Sequence, residues 1–156
     1  MSYHHVQHGR FHYPLLAIAG LELALVTWLG SPPVRPFGYG FALLFVLLAL
    51  SFATLTVRDC GARLALRFGP LPLFRRSVPY ASVRGVRVAR SDLVDGWGIH
   101  WLPGRGWIWN IHGRDCVGLD LEGGRLRIGT SDPEGLAALV AARIGSRPRA
   151  GPEVRP

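Results

Sequence analysis

The chain has 156 residues, of which 49% are hydrophobic, and its mean hydropathy is +0.22. This length leaves room for one small folded core beside the apolar segments and excludes an assembly of several large domains. The formal charge is +8, with eighteen basic residues that are all arginine, which favours nucleic acid, an acidic protein or an anionic lipid surface as partner. Cys60 and Cys116 lack the spacing of metal ligands, so we expect two reduced thiols.

The amino-terminal residues 1–13 form a histidine-rich tail. His4, His8 and His12 recur at every fourth position and would share one face of a helix, and imidazoles grouped in this way bind zinc, copper or nickel. Nothing nearby supplies a second shell for such an ion. We therefore expect a cytoplasmic, unstructured tail, no metal site and no cofactor.

Two apolar segments follow, at residues 14–29 and 37–57. The second has neither charge nor proline and would reach about 31 Å as a helix, which matches a hydrocarbon core of about 30 Å. The first is shorter, but the proline-rich turn at residues 30–36 predicts that the two segments pair as an antiparallel transmembrane hairpin. We expect no cleavable signal peptide, because the first segment is preceded by histidines instead of a cationic stretch.

The arginines near the ends of these segments predict the orientation. Only Arg35 lies on the side of the turn, whereas Arg10, Arg58, Arg63 and Arg67 lie on the other side. By the positive-inside rule, both termini are cytoplasmic in a multi-pass protein of the inner (plasma) membrane.

Glu22 lies near the middle of the first apolar segment. An ionised carboxylate at this depth is costly, and such groups are usually protonated, paired or turned towards protein. We predict that Glu22 makes an intramembrane polar contact, with the hydroxyls of Ser51 or Thr54 or with another subunit of an oligomer.

From residue 58 the pattern changes to alternating apolar and polar positions, which predicts β-strands in a folded domain over residues 58–145. In one predicted hairpin, residues Gly123 and Gly124 form the turn. The predicted pairs in this hairpin are Glu122 with Arg125, Leu121 with Leu126, Asp120 with Arg127 and Leu119 with Ile128.

A single amphipathic helix is predicted to close the domain. Asp132 supplies the N-cap, Pro133 the first helical position and Gly145 the stop. The arginine-, proline- and glycine-rich residues 146–156 have little to bury, so we expect a disordered tail.

The order of about seven short strands and one helix after a membrane hairpin resembles the prokaryotic membrane-anchored pleckstrin-homology-like (PH-like) domain proteins. The resemblance implies an α+β membrane protein with a two-helix hairpin, a PH-like β-barrel and a carboxy-terminal capping helix, and a non-catalytic role. The residues that carry it are Phe68-Gly69-Pro70, Val78-Pro79-Tyr80, Gly96-Trp97-Gly98-Ile99, Gly106-Trp107, Gly123-Gly124, Ile128-Gly129-Thr130 and Asp132-Pro133.

Arginine and tryptophan side chains are the candidate binding surface of this domain. Tryptophans cluster between residues 97 and 109, where two of the four are expected to fill the core and the others to contact lipid headgroups or a partner. No catalytic motif accompanies them, and no nucleic-acid-binding motif is present. The candidate surface residues are Arg63, Arg67, Arg75, Arg76, Trp97, Trp101 and Arg105.

The sequence therefore predicts a membrane-anchored binding or scaffold protein that is not an enzyme. Its cytoplasmic domain would engage anionic lipid or a partner protein at the inner membrane surface. The alternative is an accessory structural subunit of a larger membrane complex, in which the hairpin packs against other helices and the domain serves as a docking platform.

Overall fold

A computed structural model describes residues 3–91 and 98–145 of the chain. Three α-helices are present in this part: α1 (His12–Leu29), α2 (Arg35–Ser51) and α3 (Pro133–Gly145). A short 3-10 helix spans Tyr80–Ser82. The strands are β1 (His4–His8), β2 (Thr54–Asp59), β3 (Arg63–Phe68), β4 (Arg75–Pro79), β5 (Val83–Arg90), β6 (Gly98–Leu102), β7 (Gly106–Asn110), β8 (Asp115–Leu121) and β9 (Gly124–Gly129).

Helices α1 and α2 pack against each other as a hairpin whose outer faces are exposed. Gly38 permits their close approach, because a Cβ atom at this position would lie 2.0 Å from Cγ2 of Val26. Among the described residues, one helix, His12–Leu29, is long and apolar enough to cross a membrane by length and composition, and Arg35–Ser51 is a shorter apolar helix.

The second apolar segment differs from its prediction. The sequence predicts a helix over residues 37–57, but α2 ends six residues earlier and the rest of the segment leads into β2. In β2, Leu55 and Val57 are buried and alternate with the less buried Thr54 and Thr56. Threonine and valine are branched at Cβ and favour strands, so tertiary pairing overrides the uniform hydrophobicity of this stretch.

The histidine-rich tail also differs from its prediction, because residues His4–His8 form strand β1 instead of an unstructured segment. This strand pairs antiparallel with β2. Gln7 is buried and donates from Nε2 to the carbonyl of His112 at 2.7 Å. The Tyr3 hydroxyl donates to Asp132 at 3.1 Å. These contacts are between residues more than 100 positions apart, and no local pattern in the tail reveals them.

The strands form two sheets. The first, sheet A, has the order β1-β2-β3-β4 and is antiparallel, and the second, sheet B, has the order β5-β8-β9-β7-β6 with β7 and β9 parallel. One hydrophobic core receives side chains from both sheets and from α3. The α+β class is confirmed, but the predicted closed barrel of about seven strands is wrong, because the nine strands of the described residues form two separate sheets. Strand β1, which was not predicted, accounts for part of the difference.

The hairpin of β8 and β9 is confirmed, with a register that differs by two residues. Leu121 pairs with Gly124 and Leu119 with Leu126, so the turn consists of Glu122 and Gly123. Since side chains alternate with a period of two, this shift preserves the separation of an apolar face from a charged face.

The prediction for α3 is confirmed. The backbone N–H of Gly135 donates to Asp132 Oδ1 at 3.0 Å, as expected for an N-cap, and Leu136 and Val140 are fully buried in the core. This helix packs mainly on β5 and β8, so it covers one face of sheet B.

Candidate binding groove

A groove of about 570 Å³ lies where the edge of sheet A meets two hairpin ends of sheet B. Its walls come from β4, from the β6–β7 hairpin and from the β8–β9 hairpin. The residues that line it are Arg76, Ser82, Trp101, Gly104, Gly106, Trp107, Leu121, Gly123, Gly124 and Arg125. Charged, aromatic and glycine residues thus meet at an opening between the sheets.

Two tryptophans form the aromatic wall of the groove. Trp101 and Trp107 are direct cross-strand partners in β6 and β7 and are 56% and 43% exposed. Trp109 lies on the same face of β7 but is only 6% exposed, because Phe68 of sheet A covers it with ring centroids 5.5 Å apart. Sheet A therefore covers one end of β7 and leaves the other open to solvent.

Arg76 supplies an unneutralised charge to the groove. It pairs with the buried Leu66 across β3 and β4, so its side chain starts from the inner face of sheet A. Its guanidinium carbon lies 5.9 Å from the ring centroid of Trp107, a cation–π contact. Burial lowers the pKa of Arg76, although a guanidinium remains charged. Within the described residues it has no carboxylate partner.

Arg125 has a different role, because its charge is already shared. Its Nε lies 3.4 Å from Asp120 Oδ1, and its Nη1 donates to the carbonyl of Gly104 at 3.1 Å. Gly106 allows the backbone of Arg125 to lie close to the β6–β7 turn: the φ angle of Gly106 is +80°, and a Cβ atom there would lie 2.3 Å from the carbonyl oxygen of Arg125. Arg125 therefore connects two walls of the groove. Because its charge is already paired, Arg76 is the stronger candidate to bind an anionic group.

Three of the other predicted arginines lie on the outer side of sheet A. A shallow depression of about 490 Å³ brings Arg63, Arg67 and Arg75 together beside Arg76 and Cys60. Arg67 and Arg75 are direct cross-strand partners, and like charges in this arrangement repel. In the part of the chain that the structure describes, neither faces a carboxylate, so an external anion between them would relieve the repulsion.

The structure thus divides the predicted surface into two parts. Arg76 and Trp101 lie in the groove, whereas Arg63, Arg67 and Arg75 lie behind it on the outer side of sheet A. Arg105 lies in the turn between β6 and β7, where its backbone N–H donates to the carbonyl of Leu102, and Trp97 lies outside the described residues.

Trp107 and Arg125 line this site but are not among the residues that the sequence predicts for it. Trp107 shares a strand face with the core residue Trp109, and the sequence predicts for Arg125 only a charge pair within the hairpin. The glycine-rich turns at residues 104–106 and 123–124 are the sequence signal for the site, because glycine permits close backbone approach.

Glu22 lies half-buried on the side of α1 that faces α2. Because Val26 meets Gly38 and the helices run antiparallel, the position level with Glu22 is near the buried Ala42. The predicted hydroxyl partners are elsewhere: Ser51 donates to the carbonyl of Leu47 at 2.8 Å, and Thr54 belongs to β2. Among the described residues the carboxyl group of Glu22 makes no hydrogen bond or ion pair.

The histidines of the tail do not line one helix face. His4 and His8 lie in β1, whereas His12 begins α1. Among the described residues there is no group of three potential ligands that could hold a metal ion.

Fold and groove together define an α+β protein in which an apolar helical hairpin is joined to a two-sheet domain with an arginine- and tryptophan-lined opening. No protein-family model matches the chain, and no curated protein matches it.

Proposed function

We propose that this protein is an integral membrane binding protein in which α1 and α2 hold the two-sheet domain at the cytoplasmic surface, where the groove around Arg76 engages an anionic group of a lipid or an acidic partner. The observation that carries the proposal is the half-buried guanidinium of Arg76, which lies on Trp107 without a carboxylate partner in the described residues.

The exposed apolar surface of the helices supports insertion into a membrane. Large side chains on both helices face outward, and each helix has the length to reach about 26 Å or slightly more, close to the thickness of a hydrocarbon core. Soluble proteins rarely expose a continuous apolar surface of this extent. Exposed side chains of this kind include Leu21, Leu25, Trp28, Phe37, Phe41, Leu43 and Leu47.

The ends of the hairpin have the residues of a membrane interface. Trp28 and Phe37 are exposed near the connecting turn, and Tyr13 is exposed at the other end. The arginine distribution supports a cytoplasmic location of the two-sheet domain, on the side where anionic lipids are abundant.

The groove lies close to the end of α2. The ring of Phe74 stacks on Phe52, the residue that follows α2, with centroids 5.3 Å apart. Arg76 is two strand residues further along, which corresponds to about 7 Å. Leu73 is exposed in the loop between β3 and β4, next to the cross-strand pair Arg67 and Arg75. An apolar side chain and two cations therefore lie at this end of sheet A, on the side opposite the groove. This combination suits a headgroup region that is apolar on one side and anionic on the other.

We expect Arg76→Gln to weaken the binding of an anionic ligand by about ten- to a hundredfold, since the variant loses a charge-assisted contact worth about 1.5–3 kcal/mol. Trp101→Ala should weaken it to a smaller extent, because an aromatic wall is lost. The measurement is a titration of the full-length protein in detergent with short-chain phosphatidylglycerol, followed by tryptophan fluorescence, with short-chain phosphatidylcholine as the neutral comparison.

Arg90→Gln is the matched control for this titration. It removes the same charge from β5, where Arg90 lies on the surface beside Asp115. Equal affinities of Arg76→Gln and Arg90→Gln would show that net charge, and not the groove, governs binding. A second titration uses an acidic peptide in place of the lipid. The groove binds the ligand class, lipid or acidic peptide, whose affinity is lower for Arg76→Gln than for Arg90→Gln.

The two native cysteines allow the orientation to be tested. Cys60 is exposed and Cys116 is buried. We expect a membrane-impermeant maleimide to label lysed membranes once per chain and to leave intact spheroplasts unlabelled, and Cys60→Ser should abolish the label. Labelling of Cys60 in intact spheroplasts would contradict the cytoplasmic placement, and release of the protein by alkaline carbonate would contradict membrane insertion.

A second candidate function is that of an accessory subunit in a larger membrane complex. The observation in its favour is Glu22, which is half-buried between the helices without a hydrogen-bond partner in the described residues. A polar group from another membrane helix would satisfy it. Co-purification in mild detergent tests this candidate: a stoichiometric second protein that is lost in Glu22→Leu supports it, and a lone chain contradicts it.

A further inference from the structure

A second cavity lies on the amino-terminal side of the molecule, away from the groove around Arg76. Its volume is about 570 Å³, and it is formed where β1 leads into α1, where α2 leads into β2 and where the turn between β7 and β8 approaches both. Its lining residues are His8, Gly9, Arg10, His12, Tyr13, Ala53 and His112.

Long-range contacts build this cavity. The side chain of Gln7 donates a hydrogen bond to the carbonyl of His112, and the backbone N–H of Gly9 donates to the carbonyl of Ala53 at 3.0 Å. Gly9 also lets the turn approach, because a Cβ atom there would lie 2.4 Å from Cγ1 of Ile111. The convergence of these segments is therefore fixed by packing and is not visible from the spacing of the histidines.

The chemistry of the lining is that of an anion site. Arg10 and the imidazoles of His8, His12 and His112 line it, and no carboxylate is among its lining residues. Nδ1 of His12 is buried without a hydrogen-bond partner in the described residues. The adjoining first turn of α1 contains no acidic residue and no side-chain cap, so its positive end adds to the potential of the cavity.

We propose that this cavity, which we call the α1 entry site, binds the phosphate of a membrane phospholipid. This inference rests on the proposed insertion of α1 and α2, since that arrangement puts the first residue of α1 at the level of the headgroups. Tyr13 is an exposed member of the lining and is the type of residue found at this level. Arg10 supplies the charge for the phosphate, and the imidazoles supply hydrogen bonds around it.

The proposal is tested by native mass spectrometry of the full-length protein released from mild detergent. We expect one phospholipid to remain on the wild type. Arg10→Gln should reduce the retained fraction about tenfold, in line with the loss of a charge-assisted contact, and His112→Gln should reduce it as well. Arg58→Gln is the matched control, because it removes an equal charge from an exposed position on β2 outside the cavity.

Two further arms separate this proposal from that of the Arg76 groove and from free phosphate. Retention is therefore also compared in the Arg76→Gln background, in which binding to the groove is weakened. A phospholipid that remains on Arg76→Gln and is lost when Arg10→Gln is added is held at the α1 entry site, so the two sites are distinguishable. Added short-chain phosphatidylglycerol should displace the retained lipid, whereas inorganic phosphate should not. Equal retention by Arg10→Gln and Arg58→Gln, wild-type protein that carries no phospholipid, or displacement by inorganic phosphate would each overturn the proposal.

Discussion

Gly69→Ala is expected to destabilise the two-sheet domain by about 2–5 kcal/mol and to loosen its junction with α2. The φ angle of Gly69 is +64°, a conformation that alanine adopts only with strain. A Cβ atom there would also lie 2.3 Å from the carbonyl oxygen of Leu50 and 2.7 Å from Cα of Ser51, and these backbone atoms cannot rotate away. Thermal unfolding of the full-length protein in detergent, followed by tryptophan fluorescence, measures the effect.

Gly61→Ala is the control that separates strain from collision. Its φ angle is +77°, but a Cβ atom there has no neighbour within 4 Å among the described residues. It should therefore cost only about 1–2 kcal/mol, the usual penalty of a left-handed conformation. If both variants lose the same stability, the close packing of Gly69 against the end of α2 has no energetic importance.

The second large effect is expected at Asp59, whose carboxylate joins three elements. Oδ1 accepts hydrogen bonds from the Tyr80 hydroxyl at 3.0 Å and from the backbone N–H of Gly61 at 2.9 Å. Oδ2 accepts from Arg143 of α3, with Nε at 3.1 Å. The Asp59 side chain is only 1% exposed. Because each of these donors favours the ionised carboxylate, Asp59→Asn should destabilise the domain by about 1–3 kcal/mol at neutral pH.

The pH dependence of stability follows from the same contacts. Burial opposes ionisation of Asp59, but the hydrogen bonds from Arg143, Gly61 and Tyr80 outweigh it and lower the pKa of the carboxyl. A lowered pKa contributes stability that is fully present above the unfolded-state value of about 3.9 and is lost as pH falls through the folded-state value. The free energy of unfolding should therefore decrease below about pH 4 in the wild type, and this dependence should be weaker in Asp59→Asn.

Asp115→Asn provides the comparison for the acid titration. It makes the same change in an exposed ion pair with Arg90, where solvent weakens the interaction. The free energy of unfolding of Asp115→Asn should depend on pH in the same way as that of the wild type. If Asp115→Asn and Asp59→Asn show the same curve, the buried carboxylate does not account for acid sensitivity.

Several elements could be predicted because the information for them is local. The N-cap at Asp132, the proline after it and the spacing of Leu136 and Val140 are enough to define α3. The β8–β9 hairpin was also predictable, but its register was not, because two turns related by a shift of two residues satisfy the same alternation of faces. The choice between them depends on contacts with neighbouring strands, such as that of Arg87 with Asp120 at 3.3 Å.

The boundaries of the apolar segments were less predictable. Composition alone does not distinguish the end of α2 from the start of β2, because leucine, valine and threonine fit both a membrane helix and a buried strand. Strand pairing with β1 and β3 decides in favour of a strand, and β1 itself comes from a histidine-rich tail with no apolar alternation.

Two apolar helices before one small α+β domain, and a binding surface of arginine and tryptophan, can be predicted from the amino-acid sequence. Hydrophobic period, turn residues and caps encode these features within a few positions. Three other features depend on the folded chain: the strands form two sheets instead of a closed barrel, Arg76 meets Trp107 at the open edge, and His112 lies with Arg10 beside α1. Contacts across such separations depend on the packing of whole elements, which the local pattern of residues does not specify.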